Sequence, residues 1–244
     1  MTSSDSAARL DADAFARLAL ELHDADGFDE TVETVVQFAL QAENCSYAGV
    51  ALATTGGGVE IGAVTDPLVE AIYAAQIDAA DGPMLQALNS GTTVYVADVA
   101  KETRWPRWLS EVAAGKVRSV LHVPMKAGDK VIGGLSLYTL HPDAFTADDE
   151  AIAHILARYA SVAVATARHE DTMARAVDAR KLVGLAMGIL MERFDLDGDQ
   201  AFAVLRRYSQ DTNTKLRDVA QHLIETRKLP HLTPDRVTTG LSDR

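Results

Sequence analysis

With 244 residues, 48% of them apolar, the chain has material for one large domain or two ordinary ones and enough apolar side chains for a buried core. It holds no run of about 18 apolar residues and no charged-apolar-small leader, so a cytoplasmic protein without membrane contact is expected. Its one cysteine, Cys45, excludes a disulfide within the chain and disfavours a thiolate metal centre, and the net charge of -12 argues against general affinity for nucleic acid.

Residues 1–8 are small and polar and read as an unstructured tail. Leu10, Phe15, Leu18, Ala19 and Leu22 then recur at helical spacing, Asp26-Gly27 breaks the pattern, and Val32, Val35, Val36, Ala39 and Leu40 mark a second amphipathic helix. Tyr47 to Ala53 and Val59 to Val64 read as a hairpin across a glycine turn. The glycine run lacks the Lys-Ser/Thr and following helix of a phosphate cradle, so a turn explains it better. Helices are expected at Asp66 to Asp78 and Pro83 to Leu88, a short strand at Thr93 to Val96, and a loop and helix around Trp105, Pro106 and Trp108. Two stronger strands follow. Val117 to Met125 alternates, with Val117, Ser119, Leu121, Val123 and Met125 on one face and Arg118, Val120 and His122 on the other, and the β-branched run Val131 to Leu140 is suited to the middle of a sheet.

Several segments of this half resemble the GAF sensor domain: Asp81-Gly82-Pro83-Met84-Leu85-Gln86-Ala87-Leu88, Val94-Tyr95-Val96-Ala97-Asp98, Arg104-Trp105-Pro106, Arg118-Ser119-Val120-Leu121 and Ile132-Gly133-Gly134-Leu135-Ser136-Leu137-Tyr138. The resemblance covers about Phe28 to Arg168. It implies an antiparallel sheet flanked by helices, with a pocket on one face for a small molecule. No cofactor is expected, and the sequence does not name the ligand.

Thr146 and Asp149 form a capping-type start, and neither Pro nor Gly recurs before Gly184, so one long helix can leave the sensor. Steps of three and four from Ile152 reach Ile155, Tyr159, Val162, Thr166, His169, Met173, Ala176, Arg180, Val183, Met187, Leu190 and Phe194. Ten of these 13 positions are apolar, enough for a coiled-coil seam, most simply that of a parallel homodimer; the other reading is a face buried within one chain. Thr166, His169 and Arg180 are its polar interruptions.

From Val183 to Phe194 the apolar residues point in nearly every direction of a helix, so this stretch needs partners on several sides. Gly184 and Gly188, each costing about 1 kcal/mol against alanine in a helix, share one face, where close helix packing is the first expectation and approach of a ligand or nucleic acid the second. Asp197 with Gln200 predicts a capped helix with Ala201, Phe202, Val204, Leu205 and Tyr208 inward. Asn213 or Thr214 is expected to cap a third helix bearing Leu216, Val219, Ala220, Leu223 and Ile224.

The run Ala186-Met187-Gly188-Ile189-Leu190-Met191-Glu192-Arg193-Phe194, then Gln200-Ala201-Phe202 and Leu205-Arg206, then Lys215-Leu216-Arg217-Asp218-Val219-Ala220, strongly resembles the ANTAR domain of bacterial transcription antiterminators. The resemblance covers about Asp178 to Lys228 and implies a three-helix domain that binds RNA hairpins in nascent transcripts. Many members carry Gln-Ala-Lys before the glycine; here Leu185-Ala186-Met187 stands there, so a phosphate contact from that lysine is not carried over. Residues 1–179 hold 12 Lys+Arg against 26 Asp+Glu, whereas residues 180–230 hold 9 against 7, so the acidity belongs to the front of the chain.

The expected fold is α+β: a GAF-type antiparallel sheet flanked by helices, then a long helix leading into a three-helix ANTAR bundle. The expected divisions are 1–27 (tail and helix), 28–168 (GAF), 169–177 (helical coiled-coil linker), 178–230 (ANTAR) and 231–244 (tail). Arg193, Arg206, Arg207, Lys215 and Arg217 are the expected phosphate contacts, and Ala186, Gly188 and Met191 the matching motif positions expected to admit an RNA loop. A non-enzymatic, dimeric regulator follows; the second reading is a sensor whose terminal bundle docks on another protein. Ser119 and Ser136 lack a Gly-x-Ser-x-Gly elbow, the seven histidines lack metal-ligand spacing, and Asp195, Asp197 and Asp199 lack the glycine and glutamate placement of a calcium loop. A thiol-based sulfoxide reductase would need several cysteines, and neither Cys45 nor His122 is placed as a bilin or haem ligand would be.

Overall fold

In the computed structural model, residues 16–42, 45–54 and 56–229 are described. The expected tail at residues 1–8, the positions Leu10 and Phe15 of the first helix, and the C-terminal tail from 231 lie outside them. Two compact units divide between Glu170 and Asp171.

The first unit is built on a five-stranded antiparallel sheet. Helix α1 is described over 16–24 and α2 spans Phe28–Ala42. Strands β1 (Tyr47–Ala53) and β2 (Val59–Val64) form the expected hairpin. Helices α3 (Pro67–Ala79) and α4 (Pro83–Ser90), strand β3 (Val94–Val96) and α5 (Pro106–Ala114) follow, then β4 (Ser119–Ala127) and β5 (Lys130–Thr139). The strand order β2-β1-β5-β4-β3 puts β5 at the centre, as its β-branched sequence predicts.

Alternation along the strands feeds two cores. Leu121, Val123, Met125, Leu135 and Leu137 pack with α1, α2 and the long helix α6 (Ala147–Phe194), through residues such as Leu18, Val35 and Leu156. Val120 and Tyr138 face the other way, into a cluster with Tyr73, Met84, Trp108 and Val112 from α3, α4 and α5. Val117 departs from expectation: it precedes β4, where the alternation does not yet apply, and joins the second cluster instead of that of Leu121.

Helix α6 runs unbroken from Ala147 to Phe194, 48 residues, and contributes to both units. Thr146 starts it with reciprocal bonds: its N–H donates to Asp149 Oδ2 at 2.7 Å and the Asp149 N–H donates to Thr146 Oγ1 at 3.2 Å. In the first unit α6 is pinned at two levels. The Lys126 N–H, at a register shift in β4, donates to Ser161 Oγ at 2.9 Å, and Arg168 Nη1 donates to the Ala53 carbonyl at 3.0 Å.

The second unit comprises the end of α6, α7 (Gly198–Asp211) and α8 (Leu216–Thr226). Asp197 and Gln200 form the predicted capping box. The α8 expectation is corrected: Lys215 is the N-cap residue, without a side-chain cap, because Asn213 takes the left-handed conformation (φ 50°) and Thr214 Oγ1 donates back to the Thr212 carbonyl. Among the described residues, no helix is long and apolar enough to cross a membrane.

Candidate functional site

The bundle of the second unit closes over Ala186, Leu190, Ala201, Leu205, Val219 and Leu223, none more than 1% exposed. Ala186 therefore lies in the bundle core, which leaves it no surface to offer an RNA. Leu190 is likewise consumed by the bundle, and Val183 and Met187 pack half-buried against it, so the end of the predicted seam on α6 serves as an internal face. Arg193 is exposed, but its side chain is tied to the bundle's own backbone. Its Nη1 donates at 2.7 Å to the carbonyl of Arg227, the left-handed residue that ends α8, satisfying an orphan acceptor at that terminus.

The remaining predicted residues are at the surface. Arg206 and Lys215 are exposed; Arg207 lies 3.6 Å from Asp211 and Arg217 3.5 Å from Asp218, both exposed pairs of the kind that holds a side chain only weakly. Met191 is 38% exposed, and a Cβ built on Gly188 or Gly184 would meet nothing within 4 Å. The glycines thus face open space, not a packed helix, contrary to the first expectation. The reason lies in the helix phase: Ala186 and Leu190 turn inward, and Gly184 and Gly188 fall on the opposite side of α6.

Gly184 opens onto a groove of about 380 Å³. Helix α6 lines it with Arg180, Val183 and Met187, α7 with Phe202, and α8 with Leu216 and Arg217. Phe202, expected to point inward, is 40% exposed. Ala201 and Leu205, four residues apart, take the buried face of α7, and Phe202 sits about 100° round the helix from Ala201. That phase was readable in the sequence once α7 was known to bury a narrow stripe; sorting apolar positions by type placed Phe202 inward, and Arg180 was expected as a polar interruption of the α6 seam, not as a groove residue.

The first unit carries a different feature. His122 and Ser136 sit opposite each other on β4 and β5, on the face turned to α3–α5. His122 Nδ1 and Ser136 Oγ are 2.7 Å apart, while Nε2 is buried with no hydrogen-bond partner. Burial pushes the imidazole down to about 3, so it is neutral at physiological pH. The hydroxyls of Tyr73 and Tyr138 lie beside Ser136 and each other without a hydrogen bond of good geometry, and burial raises both phenols. Trp108 Nε1 is also buried and unpartnered. Two ion pairs of the first unit are ordinary by contrast. Arg118 Nη2 donates to Asp98 at 3.0 Å and Arg104 to Glu102 at 2.6 Å, holding both carboxylates below their usual range. Among the described residues, no group of three His, Cys, Asp or Glu is placed to hold a metal ion.

A family model described as GAF domain matches residues 25–165, and one described as ANTAR domain matches residues 171–224. The chain belongs to the GAF–ANTAR family. GAF domains are sensor modules and ANTAR domains RNA-binding antitermination modules. Among solved structures, free methionine-R-sulfoxide reductase from Neisseria meningitidis in complex with its substrate is similar at 21% identity, with a TM-score of 0.56 over 70% of this chain and 96% of that one. The GAF domain of Acinetobacter phosphoenolpyruvate-protein phosphotransferase gives 16% identity and a TM-score of 0.54, covering 69% of this chain and 97% of the other. That of the Coxiella burnetii phosphoenolpyruvate-protein phosphotransferase gives 16% and 0.54, covering 66% and 96%. At these identities the likeness establishes the fold of the GAF half alone. A comparison with curated proteins finds no match.

Helix α6 of this GAF–ANTAR protein also leaves apolar side chains uncovered. In the first unit Ile155, Tyr159 and Val162 are 43%, 45% and 69% exposed; in the second Met173 and Val177 are 56% and 61% exposed.

Proposed function

We propose that this GAF–ANTAR protein is a cytoplasmic, homodimeric transcription antiterminator. Its GAF unit receives a small-molecule signal, and its ANTAR unit binds hairpins in nascent RNA so that transcription continues past a terminator. The observation that carries this reading is the concentration of uncovered cations on the family-matched bundle: Arg180, Arg206, Lys215 and Arg217 are exposed there, in a stretch with a net charge of +2 within a chain of -12. A mildly basic module on an acidic protein suits recognition of a shaped loop over general attraction to phosphate. Arg206, Arg207, Lys215 and Arg217 are assigned to phosphates, Gly188 and Met191 to the surface the loop approaches, Ala186 to shaping that surface from within, and Arg193 to holding the end of α8.

Two further observations support the remaining parts. A buried polar group without a partner costs about 1–3 kcal/mol, so His122 Nε2 marks where the α3–α5 face of the sheet would gain from a polar ligand. The uncovered stripe on α6 suits a second copy of the same helix.

A gel-shift titration of the full chain against two-hairpin RNAs from its host's leader transcripts, over a salt series, tests the output. Replacing Arg206 and Arg217 by Ala should weaken binding of every hairpin and lower the salt slope by about one per arginine. Unchanged affinity and slope would remove both residues from the interface, and no binding of any hairpin would end the RNA reading in favour of a protein partner.

A further inference from the structure

Resting on the RNA reading, we infer that the groove between the three ANTAR helices is a base pocket, in which one unstacked base of the hairpin loop stacks on Phe202 over Gly184 while its flanking phosphates meet Arg180 and Arg217. Four observations converge on this occupant.

Phe202 is not needed by the bundle core, which closes without it, and the residue is 40% exposed on the wall of a groove lined by Val183, Met187 and Leu216. An aromatic face beside an apolar floor, open to solvent, is what a single-stranded base uses. Gly184 borders that groove from the interior of α6, where glycine is unfavourable, and nothing in the bundle occupies the space a side chain would take. Packing within the chain does not account for this glycine; a planar guest seated against the helix backbone does. The volume of about 380 Å³ lies at the small end of ligand pockets and suits one planar ring system better than a helix, whose diameter is about 10 Å.

The rim selects among flat apolar guests. Arg180 and Arg217 border the groove from α6 and α8, in the basic portion of an acidic chain, so the guest that complements them carries negative charge on both sides of a flat apolar centre. A nucleotide within a strand has that form. Asp218, 3.5 Å from Arg217, is the carboxylate a phosphate would displace, and that pair is half exposed on both sides, hence weakly held.

The test uses the full-length protein and a hairpin RNA enriched by it from a pool with a randomised loop, with 2-aminopurine placed at successive loop positions. One position should be quenched on binding. Phe202→Ala should abolish that quench and weaken binding roughly 10- to 100-fold, with the salt slope unchanged because stacking releases no counterion; Phe202→Trp should restore both. Gly184→Leu should fill the groove and weaken binding at least about 10-fold, while helix content and thermal midpoint stay level or rise, since glycine gives way to a better helix former. If wild-type protein enriches no hairpin, the RNA reading and the pocket fall together. If it binds a hairpin and both Phe202→Ala and Gly184→Leu bind as wild type does, the pocket alone is refuted. Loss of dimer by light scattering in Gly184→Leu, with RNA binding intact, would assign the groove to a second copy and also refute it.

Discussion

His122 makes the stability of the GAF unit depend on pH in a range where few other groups act. In the unfolded chain the imidazole has its ordinary value of about 6.5; in the fold it is held near 3 by complete burial. Between those values the unfolded state binds a proton that the folded state refuses, so stability rises with pH across the window and falls as the solution is acidified below about 6.5. From about 6.5 and about 3, the loss between neutrality and pH 5 is about 2 kcal/mol, approaching about 1.4 kcal/mol per pH unit. The depressed carboxylates Asp98 and Glu102 act only at the acid end of this window and below it, because stability from a lowered carboxylate is lost as pH falls through its unfolded value of about 4 and beyond. Both tryptophans, Trp105 and Trp108, are buried in the GAF unit, so urea unfolding followed by tryptophan fluorescence reports on this unit alone. The comparison is wild type with His122→Gln at pH 7.5, 6.5, 5.5 and 5.0. The variant should be less stable at pH 7.5, having lost a packed ring, but should lack the component of slope that the imidazole supplies. Equal slopes for the two proteins would refute the assignment to His122. A wild-type stability flat to within about 0.5 kcal/mol from pH 7.5 to 5.0 would refute a neutral, buried imidazole altogether.

Other perturbations act on the second unit and on α6. Leu205→Ala removes a fully buried side chain from the small bundle core at a cost of about 2–5 kcal/mol, comparable with the whole stability of such a bundle; loss of helical circular dichroism and of hairpin binding should accompany it, and an intact signal would contradict the packing. Val162→Glu places a charge on the uncovered stripe of α6 without touching either core, so light scattering should show a dimer for wild type and a monomer for the variant; equal masses for the two would refute this stripe as a dimer contact. Hairpin binding by that monomer should be weaker if two bundles grip a two-hairpin RNA together.

Much of the architecture was legible in the order of residues because its signals are local. Alternation at Val117 to Met125 and the β-branched run after it specified adjacent strands, Thr146 with Asp149 and Asp197 with Gln200 specified helix starts, and the absence of Pro and Gly before Gly184 specified one long helix. Separate blocks such as Ala186 to Phe194 and Lys215 to Ala220 were enough to announce the ANTAR family, which the family match then established. What a linear pattern does not carry is phase against a partner. The periodicity of α6 admits Leu190 equally to a dimer seam and to a bundle core, and only docking of α7 and α8 turns Ala186 and Leu190 inward and leaves Gly184 and Gly188 outside. The same docking leaves Phe202 in solvent beside Arg217 from another helix and commits Arg193 to the end of α8. Elements follow from hydrogen bonds and side-chain periods within a few residues, whereas a groove or a buried imidazole arises from which faces happen to meet across the chain, and that is settled by packing of all the elements at once.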